Sequence, residues 1–411
     1  MIFISFMISC IYDCNFLKTL NNYYNLIEKS IILLIQEGER KISIFKIKKL
    51  ETIGIKVPLT RVFSGSFYSM PSRCTIITRI TDEDGVIGES YNADEDNEQD
   101  DLINIINNEL YELIKGKSFN SPIEVWELMV PSTFDQLRDR KLATRAIASI
   151  DSALWDLYSK KLSLPVRRIW GGCKDEIPII GIGGYYTDKL TDINKEVEYW
   201  VNKKVSGMKF KIGRLAPEED AKRLEIAVKE APQDFKFIVD ANQGYKYWDA
   251  VEFCKIIDSF VELEWFEEPC RWQHDVTDMA NLRLASKVKI AAGQSEISSS
   301  AIAKLIINNS VDIVNFDASW GGGPTEWLRV ANMAQIYNID MGHHEEFQVA
   351  SHLLSSIPNS RYVEIFEEER DPIFWNLIEN RPTINDGKIK LPEQDGYGWV
   401  LDTGYIKKYS S

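Results

Sequence analysis

Two lysines alternate with apolar residues in the stretch GMKFKIG, residues 207–213. Because side chains alternate between the two faces of a strand, the ammonium groups of Lys209 and Lys211 point to the same side. In an open sheet that side meets water, and the three apolar residues between and beside the lysines are buried. In a closed barrel both lysines face the interior, where burial and neighbouring positive charge lower a lysine's pKa and make its neutral amine available as a base.

Acidic and amide side chains end the three β-like runs that follow. Asp240 ends FKFIVDAN, Glu267 ends VELEWFEEP, and Gln294 and Glu296 end VKIAAGQSE. Neighbouring strands lie only ~5 Å apart, so carboxylates at their ends can converge, and converging anions repel each other unless a cation holds them. Hard oxygen ligands of this kind predict Mg²⁺. The alternative is that each acid is a solvated strand end.

The histidines add a possible second acid–base group. The chain has four histidines, and two of them are adjacent in MGHHEE. Only one of His343 and His344 can face the barrel centre, and Asp317, which ends the preceding run, could hydrogen-bond that imidazole and raise its pKa. We expect Lys211 and His344 to act on the α-carbon of a carboxylate from opposite sides, which gives dehydration if a β-hydroxyl can leave and racemisation if none can.

The elements that must position these groups follow a clear rhythm. After about residue 176, eight short β-branched or apolar runs alternate with helical segments, which predicts a parallel α/β barrel rather than a doubly wound open sheet. The preceding region predicts an α+β module, with a hairpin around DEDG inside residues 72–90 and a helix over 144–164. We expect an extension at 1–43, a capping domain at 44–174, the barrel at 175–380 and a returning segment at 381–411.

Bulk composition excludes several classes of protein. The formal net charge of −14 argues against a general nucleic-acid or anionic-membrane binder. The six cysteines are scattered, without paired CxxC spacing, so a disulfide scaffold or structural zinc is not expected and a cytoplasmic location is. The apolar start MIFISFMISCIYDCNF is too short to span a bilayer as a helix.

The combination of motifs resembles the enolase superfamily, in its mandelate racemase subgroup. The matching pieces are KFK, VDANQGY, WFEEP, FDASWGGG and GHHEEFQVASHLL, together with the segment AIASIDSALWDLYSKKLSLPVRRIWGG. The resemblance implies a TIM-like (β/α)7β barrel, a capping domain built from the N-terminal region and the C-terminal tail, bound Mg²⁺ and a symmetric homo-oligomer. It implies these roles: Lys211 as one base, Lys209 at the substrate carboxylate, Asp240 and Glu267 as metal ligands, Asn242 and Glu364 as substrate contacts, and His344 with Asp317 as the opposing dyad.

One position departs from this pattern. The family usually has an acid directly after the glycine of the fifth strand, whereas AAGQSE places Gln294 there and Glu296 two residues later. Both residues have the same strand parity, so either could be the third metal ligand. The acids Glu345 and Glu346 could serve a hydroxylated substrate or form a solvated turn.

The resemblance favours a dehydratase that converts an aldonate or aldarate, such as a gluconate- or galactonate-like acid, to a 2-keto-3-deoxy acid. The loop PLTRVFSGSFYSMPS, residues 58–72, is expected to close over this small-molecule carboxylate. The alternatives are a racemase or epimerase on the same scaffold, a Schiff-base lysine aldolase, and a non-catalytic binding protein with the same fold.

Overall fold

The computed structural model describes residues 43–92, 98–187 and 189–410. The predicted extension at 1–43 therefore lies outside the described residues, apart from its last position. None of the four cysteines in the described part is in a disulfide. In the same part of the chain, no helix is both long and apolar enough to cross a membrane.

The N-terminal module is built on an antiparallel sheet. Its strands are β1 (Phe45–Ser64), β2 (Ser69–Asp82), β3 (Ile87–Asn92) and the short β4 (Ser118–Phe119), in the order β3-β2-β1-β4. The predicted hairpin is present between β2 and β3, and the backbone N–H of Val86 donates to the Asp82 carboxylate across its turn at 2.9 Å.

Helical segments complete this module. They are α1 (Gln99–Ile105), a π-helical turn (Ile106–Leu110), α2 (Tyr111–Ile114), α3 (Pro122–Met129), a 3₁₀ turn (Val130–Phe134), α4 (Arg140–Lys161) and α5 (Val166–Trp170). The long helix α4 packs directly on β3, where a Cβ on Gly88 would lie 2.2 Å from the carbonyl oxygen of Ala153. Only glycine permits this approach, which fixes α4 against the sheet.

Eight parallel strands then form the predicted barrel. They are β5 (Glu176–Gly183), β6 (Gly207–Lys211), β7 (Lys236–Asp240), β8 (Leu263–Glu267), β9 (Ile290–Ala292), β10 (Ile313–Asn315), β11 (Asp340–Gly342) and β12 (Val363–Phe366). Seven helices connect them: α6 (Thr191–Asn202), α7 (Pro217–Glu230), α8 (Tyr247–Ile257), α9 (Asp275–Ala285), α10 (Ser299–Ile307), α11 (Pro324–Ile336) and α12 (Phe347–Ser356).

The ring is closed. Strand β12 pairs in parallel with β5, and a bridge between Met341 and Ser360 joins β11 to the chain just before β12. The (β/α)7β barrel is therefore confirmed, and the open doubly wound sheet is wrong.

The barrel interior has two levels. Its lower level is an apolar cluster to which β7, β8 and β10 contribute Ile238, Trp265 and Ile313. Two residues further along the same strands, and so on the same face, come Asp240, Glu267 and Asn315. Each of these three strands thus places an apolar side chain at the floor and a polar one at its C-terminal end.

The end of the chain returns to the N-terminal sheet. After α13 (Pro372–Leu377), the hairpin β13 (Ile384–Asn385) and β14 (Lys388–Lys390) pairs with β5, and α14 (Thr403–Tyr409) contacts β1. Ser410 forms a bridge with Ile55 of β1. The exact boundaries at 174, 175, 380 and 381 stay a prediction.

The outer core of the barrel offers a test of this packing. Trp200 of α6 is fully buried against Gly181 of β5, and Trp248 at the start of α8 is 73% exposed. We predict that Trp200→Ala lowers the free energy of unfolding by about 3–5 kcal/mol because it leaves a large cavity. The matched variant Trp248→Ala should change it by less than about 0.5 kcal/mol. Urea unfolding measures both, and equal unfolding midpoints would contradict the assigned packing.

Candidate active site

Lys209 is the centre of a buried ionic cluster at the C-terminal end of the barrel. Its Nζ lies 2.5 Å from Glu364 Oε1, 3.1 Å from Glu267 Oε1 and 3.6 Å from Asp240 Oδ2. Burial disfavours the ammonium ion, but the charges of Glu267, Glu364 and Asp240 outweigh burial and raise the pKa of Lys209. One cation therefore holds together carboxylates from three different strands.

Lys211 points to the same interior, as strand alternation predicts. Its Nζ lies 2.7 Å from Asp240 Oδ2 and donates to Asn242 Oδ1 at 3.2 Å. Burial disfavours its charge, yet Asp240 outweighs this effect and the pKa of Lys211 is well above the usual lysine value. The expectation that burial lowers the lysine pKa is wrong here, because each lysine has a carboxylate within hydrogen-bond distance.

The two acids that end β7 and β8 are fully buried and well connected. Glu267 accepts from Asn315 Nδ2 at 2.8 Å and from Trp265 Nε1 at 3.1 Å. Burial raises the pKa of Glu267, whereas at Asp240 the positive charges of the two lysines outweigh burial and lower the pKa. Sequence reasoning missed Asn315, although it has the same parity as Ile313 and Asp317 on a recognised strand.

The structure separates the two candidates for the third metal ligand. Gln294 lines the same cavity as Lys211 and His344, whereas Glu296 lines a different pocket beside Cys270 and Asp275. The expectation that both could face the site is wrong because β9 ends at Ala292. Gly293 takes a φ of +136°, and a turn from Gly293 O to Glu296 N then breaks the strand alternation.

The donor set suits a hard divalent cation only if it includes this amide. Among the described residues, no three His, Cys, Asp or Glu side chains come together to hold a metal ion. Gln294 Oε1 is buried and has no hydrogen-bond partner in the described part of the chain. An unpartnered amide oxygen in the cavity that Lys211 and Asn242 also line is consistent with a ligand role, since such oxygens suit Mg²⁺.

His344 forms the predicted dyad with Asp317. Its Nδ1 lies 2.8 Å from Asp317 Oδ2, and Asp317 Oδ1 accepts from the backbone N and Oγ of Ser319 at 2.8 and 2.6 Å. The other ring nitrogen, Nε2, lies 3.5 Å from Glu345 Oε1. Burial disfavours the imidazolium, but Glu345 and Asp317 outweigh it and raise the pKa of His344 to about 9.

His343 has a structural environment. Its Nδ1 donates to the carbonyl oxygen of His344 at 2.8 Å, and its Nε2 accepts from the backbone N–H of Ala318 at 3.1 Å. Burial lowers the pKa of His343, and its ring stacks on Trp327. These contacts fix the neutral ring and leave His344 as the imidazole that lines the cavity.

The acids after His344 are not a solvated turn. Glu345 and Glu346 are only 9% and 3% exposed. Arg370 lies 3.2 Å from Glu345, and Arg73 of β2 lies 3.2 Å from both Glu346 and Asp371. The first of these pairs holds a carboxylate beside His344, and the second ties the N-terminal sheet to the barrel.

The cluster opens into a cavity of about 610 Å³. Its lining combines strand-end residues with the tip of the β1–β2 hairpin and the start of α4; it includes Tyr68, Ser69, Met70, Pro71, Ser72, Lys141, Arg145, Lys211, Asn242, Glu268, Gln294, Ser295, Trp320, His344, Glu345 and Arg370. Most of the predicted loop 58–72 belongs to β1 and β2, so only residues 65–68 form the turn. There Ser66 Oγ donates to Asn242 O at 3.2 Å.

Both parts of the chain match known sequence families. Residues 50–171 match the mandelate racemase/muconate lactonizing enzyme N-terminal domain, and residues 192–405 match the enolase C-terminal domain-like family. The chain belongs to the enolase superfamily, in its mandelate racemase subgroup.

Solved structures and curated sequences include close relatives of this superfamily member. A mandelate racemase/muconate lactonizing enzyme from a marine actinobacterium, in complex with magnesium, is 40% identical with a TM-score of 0.84, over 89% of this chain and 99% of that one. Arabinonate dehydratase of Saccharolobus solfataricus is 30% identical over 69% of this chain and 77% of its own length. L-talarate/galactarate dehydratase of Salmonella typhimurium is 31% identical over 63% of this chain and 64% of its own length.

The dyad generates a prediction about protonation. Because Asp317 helps to raise the pKa of His344, Asp317→Asn should lower that pKa. Asp312→Asn, directly before the opposite end of β10, should not change it. Histidine-selective NMR titration can follow the change, since the chain has only four histidines. The folded protein therefore holds the His344 proton more tightly than the unfolded chain, whose histidines have a pKa of 6.5. The interaction with Asp317 and Glu345 stabilises the fold fully below pH 6.5, and this stabilisation is lost as the pH rises through about 9. An unchanged His344 titration in Asp317→Asn would contradict the assigned dyad.

Proposed function

We propose that this protein is an Mg²⁺-dependent dehydratase of sugar acids. It removes the proton α to the carboxylate of an aldonate or aldarate, eliminates the β-hydroxyl and yields a 2-keto-3-deoxy acid. The observation that carries the proposal is that Lys211 of β6 and His344, which pairs with Asp317, line one cavity from separate parts of the barrel. Two strands separate β6 from β11 on one side of the ring and four on the other.

Asp240, Glu267 and Gln294 would hold the magnesium ion. The magnesium complex of the 40% identical actinobacterial protein supports the choice of magnesium as the cation. When bound, the cation stabilises the negative charge that develops on proton removal and offsets the carboxylate charge that keeps the nearby lysines protonated.

The side chains of this protein then divide the proton transfers. Lys209, which Glu364 holds at 2.5 Å, orients the substrate carboxylate, and Asn242 contacts the neighbouring hydroxyl group. Lys211 takes the α-proton from one side. His344 is protonated below about pH 9, so it donates a proton to the departing hydroxyl as the C–O bond breaks and water leaves.

The raised pKa of His344 suits the acid that elimination of a hydroxyl group requires.

The reaction can be tested directly. We predict that the Mg²⁺-loaded protein forms semicarbazide-reactive ketoacid from at least one member of a panel of aldonates and aldarates. His344→Asn should lower kcat about 10²- to 10⁴-fold because it removes the general acid. Solvent deuterium at the α-carbon without ketoacid would instead indicate a racemase. Binding of metal and acids without either reaction would indicate a non-catalytic protein.

The metal assignment has its own test. Gln294→Ala should weaken Mg²⁺ binding about 10-fold or more, because it removes a ligand oxygen, and Glu296→Ala should leave binding unchanged. Isothermal titration calorimetry with Mg²⁺ compares the two variants in the absence of substrate. The reverse ranking would show that the acid of the neighbouring pocket is the ligand.

A further inference from the structure

The loop that follows β10 carries the acid of the dyad and is tied to itself by backbone hydrogen bonds. The N–H of Gly321 donates to the carbonyl oxygen of Asp317 at 2.9 Å, and the N–H of Gly323 donates to that of Ala318 at 2.7 Å. These bonds fold residues 317–323 into one compact connection. A displacement at the end of this connection therefore moves the acid of the dyad as well.

The long helix α4 of the N-terminal module holds the far end of this loop. Asp151 of α4 is fully buried and accepts from the backbone N–H and from the Oγ1 of Thr325, each at 2.8 Å. Trp155, one turn further along α4, donates from Nε1 to the same Thr325 Oγ1 at 2.9 Å. Thr325 is the second residue of α11, where backbone N–H groups have no acceptor within their own helix. Asp151 thus supplies the acceptor that the start of α11 requires.

The packing at this end of the loop is close. A Cβ on Gly323 would lie 2.5 Å from Asp151 Oδ2, and Gly323 has a φ of +95°, so glycine is required on both counts. The neighbouring carbonyl oxygen of Gly322 accepts from Trp126 Nε1 of α3 at 2.8 Å. Two helices of the N-terminal module therefore hold the loop at Gly322 and Thr325.

The other end of the loop contacts both histidines that follow β11. The N–H of Ala318 donates to His343 Nε2 at 3.1 Å, and the ring of Trp320 lies 5.3 Å from the ring of His344. His344 Nδ1 lies 2.8 Å from Asp317 Oδ2. The orientation of the His344 imidazole therefore depends on where the loop is held.

We propose that Asp151 is a positioning residue for the reaction, because its contact with Thr325 fixes the place of the dyad through the loop 317–323. Asp151 does not line the cavity itself. The N-terminal module then contributes to catalysis by a second route, separate from the β1–β2 hairpin whose tip lines the cavity. The expected effect on kcat rests on the proposed dehydratase function, whereas the expected effect on His344 does not.

A measurement without substrate tests the placement of the dyad. Histidine-selective NMR titration compares the wild-type protein with Asp151→Ala and Asp156→Ala. Asp156 is the matched control because it is also a buried acid of α4. It accepts from the backbone N–H groups of Glu89 in β3 and Tyr397 in the returning end of the chain, at 2.8 and 2.7 Å. Each variant leaves buried donors without their acceptor, so both should lower the free energy of unfolding.

The two variants should differ at His344. Asp151→Ala should lower the pKa of His344 from about 9 to about 8, because a displaced Asp317 interacts more weakly with the imidazolium. Asp156→Ala should leave this pKa at about 9. Loss of stability in both variants with an unchanged titration of His344 would show that Asp151 serves the fold alone, and would overturn the proposal.

Turnover gives a second test with the same pair of variants. With an acid that the Mg²⁺-loaded protein dehydrates, Asp151→Ala should lower kcat about 10- to 100-fold and change KM less than about 2-fold, because a misplaced acid weakens the transition state more than substrate binding. Asp156→Ala should keep kcat within about 2-fold of the wild type. Equal losses of kcat in both variants would refute the role of Asp151. If the wild type dehydrates no acid, the proposed function fails, and the NMR titration still decides the placement of the dyad.

A change on the other side of the contact covers the case in which Asp151→Ala does not fold. Thr325→Val keeps the size of the side chain but removes the hydroxyl that donates to Asp151 and accepts from Trp155. Thr325→Ser keeps that hydroxyl. We expect Thr325→Val to lower the pKa of His344 and kcat, and Thr325→Ser to match the wild type in both. Wild-type behaviour of Thr325→Val would contradict the proposal.

Discussion

The contact between Lys209 and three carboxylates is the constraint on which the site depends. Asp240, Glu267 and Glu364 come from three strands and are all buried at the same end of the barrel. Buried anions at this separation repel strongly, and each would require several kcal/mol of desolvation without a counter-charge. The ammonium groups of Lys209 and Lys211 offset part of this cost and fix where the acids point, so the geometry is set before a substrate arrives.

The barrel strands place these ionic groups above an apolar floor. Strand alternation gives β7, β8 and β10 an apolar residue at the floor and a polar residue two positions later, as in Ile238 and Asp240. The apolar floor excludes water from below, and the capping hairpin covers the opening from above. The ionic groups therefore act in a medium of low polarity, where their charges have large effects on one another.

Much of this arrangement could be predicted from the sequence because it depends on periodicity. Alternation placed Lys209 and Lys211 on one face, and the order of the strands brought Asp240 and Glu267 together. The prediction failed where periodicity ends. By sequence spacing, Glu296 has the parity of a residue that faces the barrel interior. However, the positive φ of Gly293 turns the chain before that position is reached.

Other features depend on contacts between distant parts of the chain. The raised pKa values of Lys209 and Lys211 depend on carboxylates from other strands, which the sequence of one strand does not reveal. Glu345 pairs with Arg370, which lies 25 residues away. Lys141 lies on a helix that precedes the first barrel strand, so no local pattern connects it to the cavity. These positions become visible only when the capping module is placed over the barrel.

The ion pairs of Arg73 have a consequence for substrate entry. This side chain belongs to the N-terminal sheet, is 1% exposed, and binds Glu346 and Asp371 of the barrel region. Moving the whole sheet away from the barrel would leave the charges of Arg73, Glu346 and Asp371 buried without these partners. The N-terminal sheet is therefore held against the barrel, and the short turn at residues 65–68 is the part of the β1–β2 hairpin left to adjust when a substrate enters.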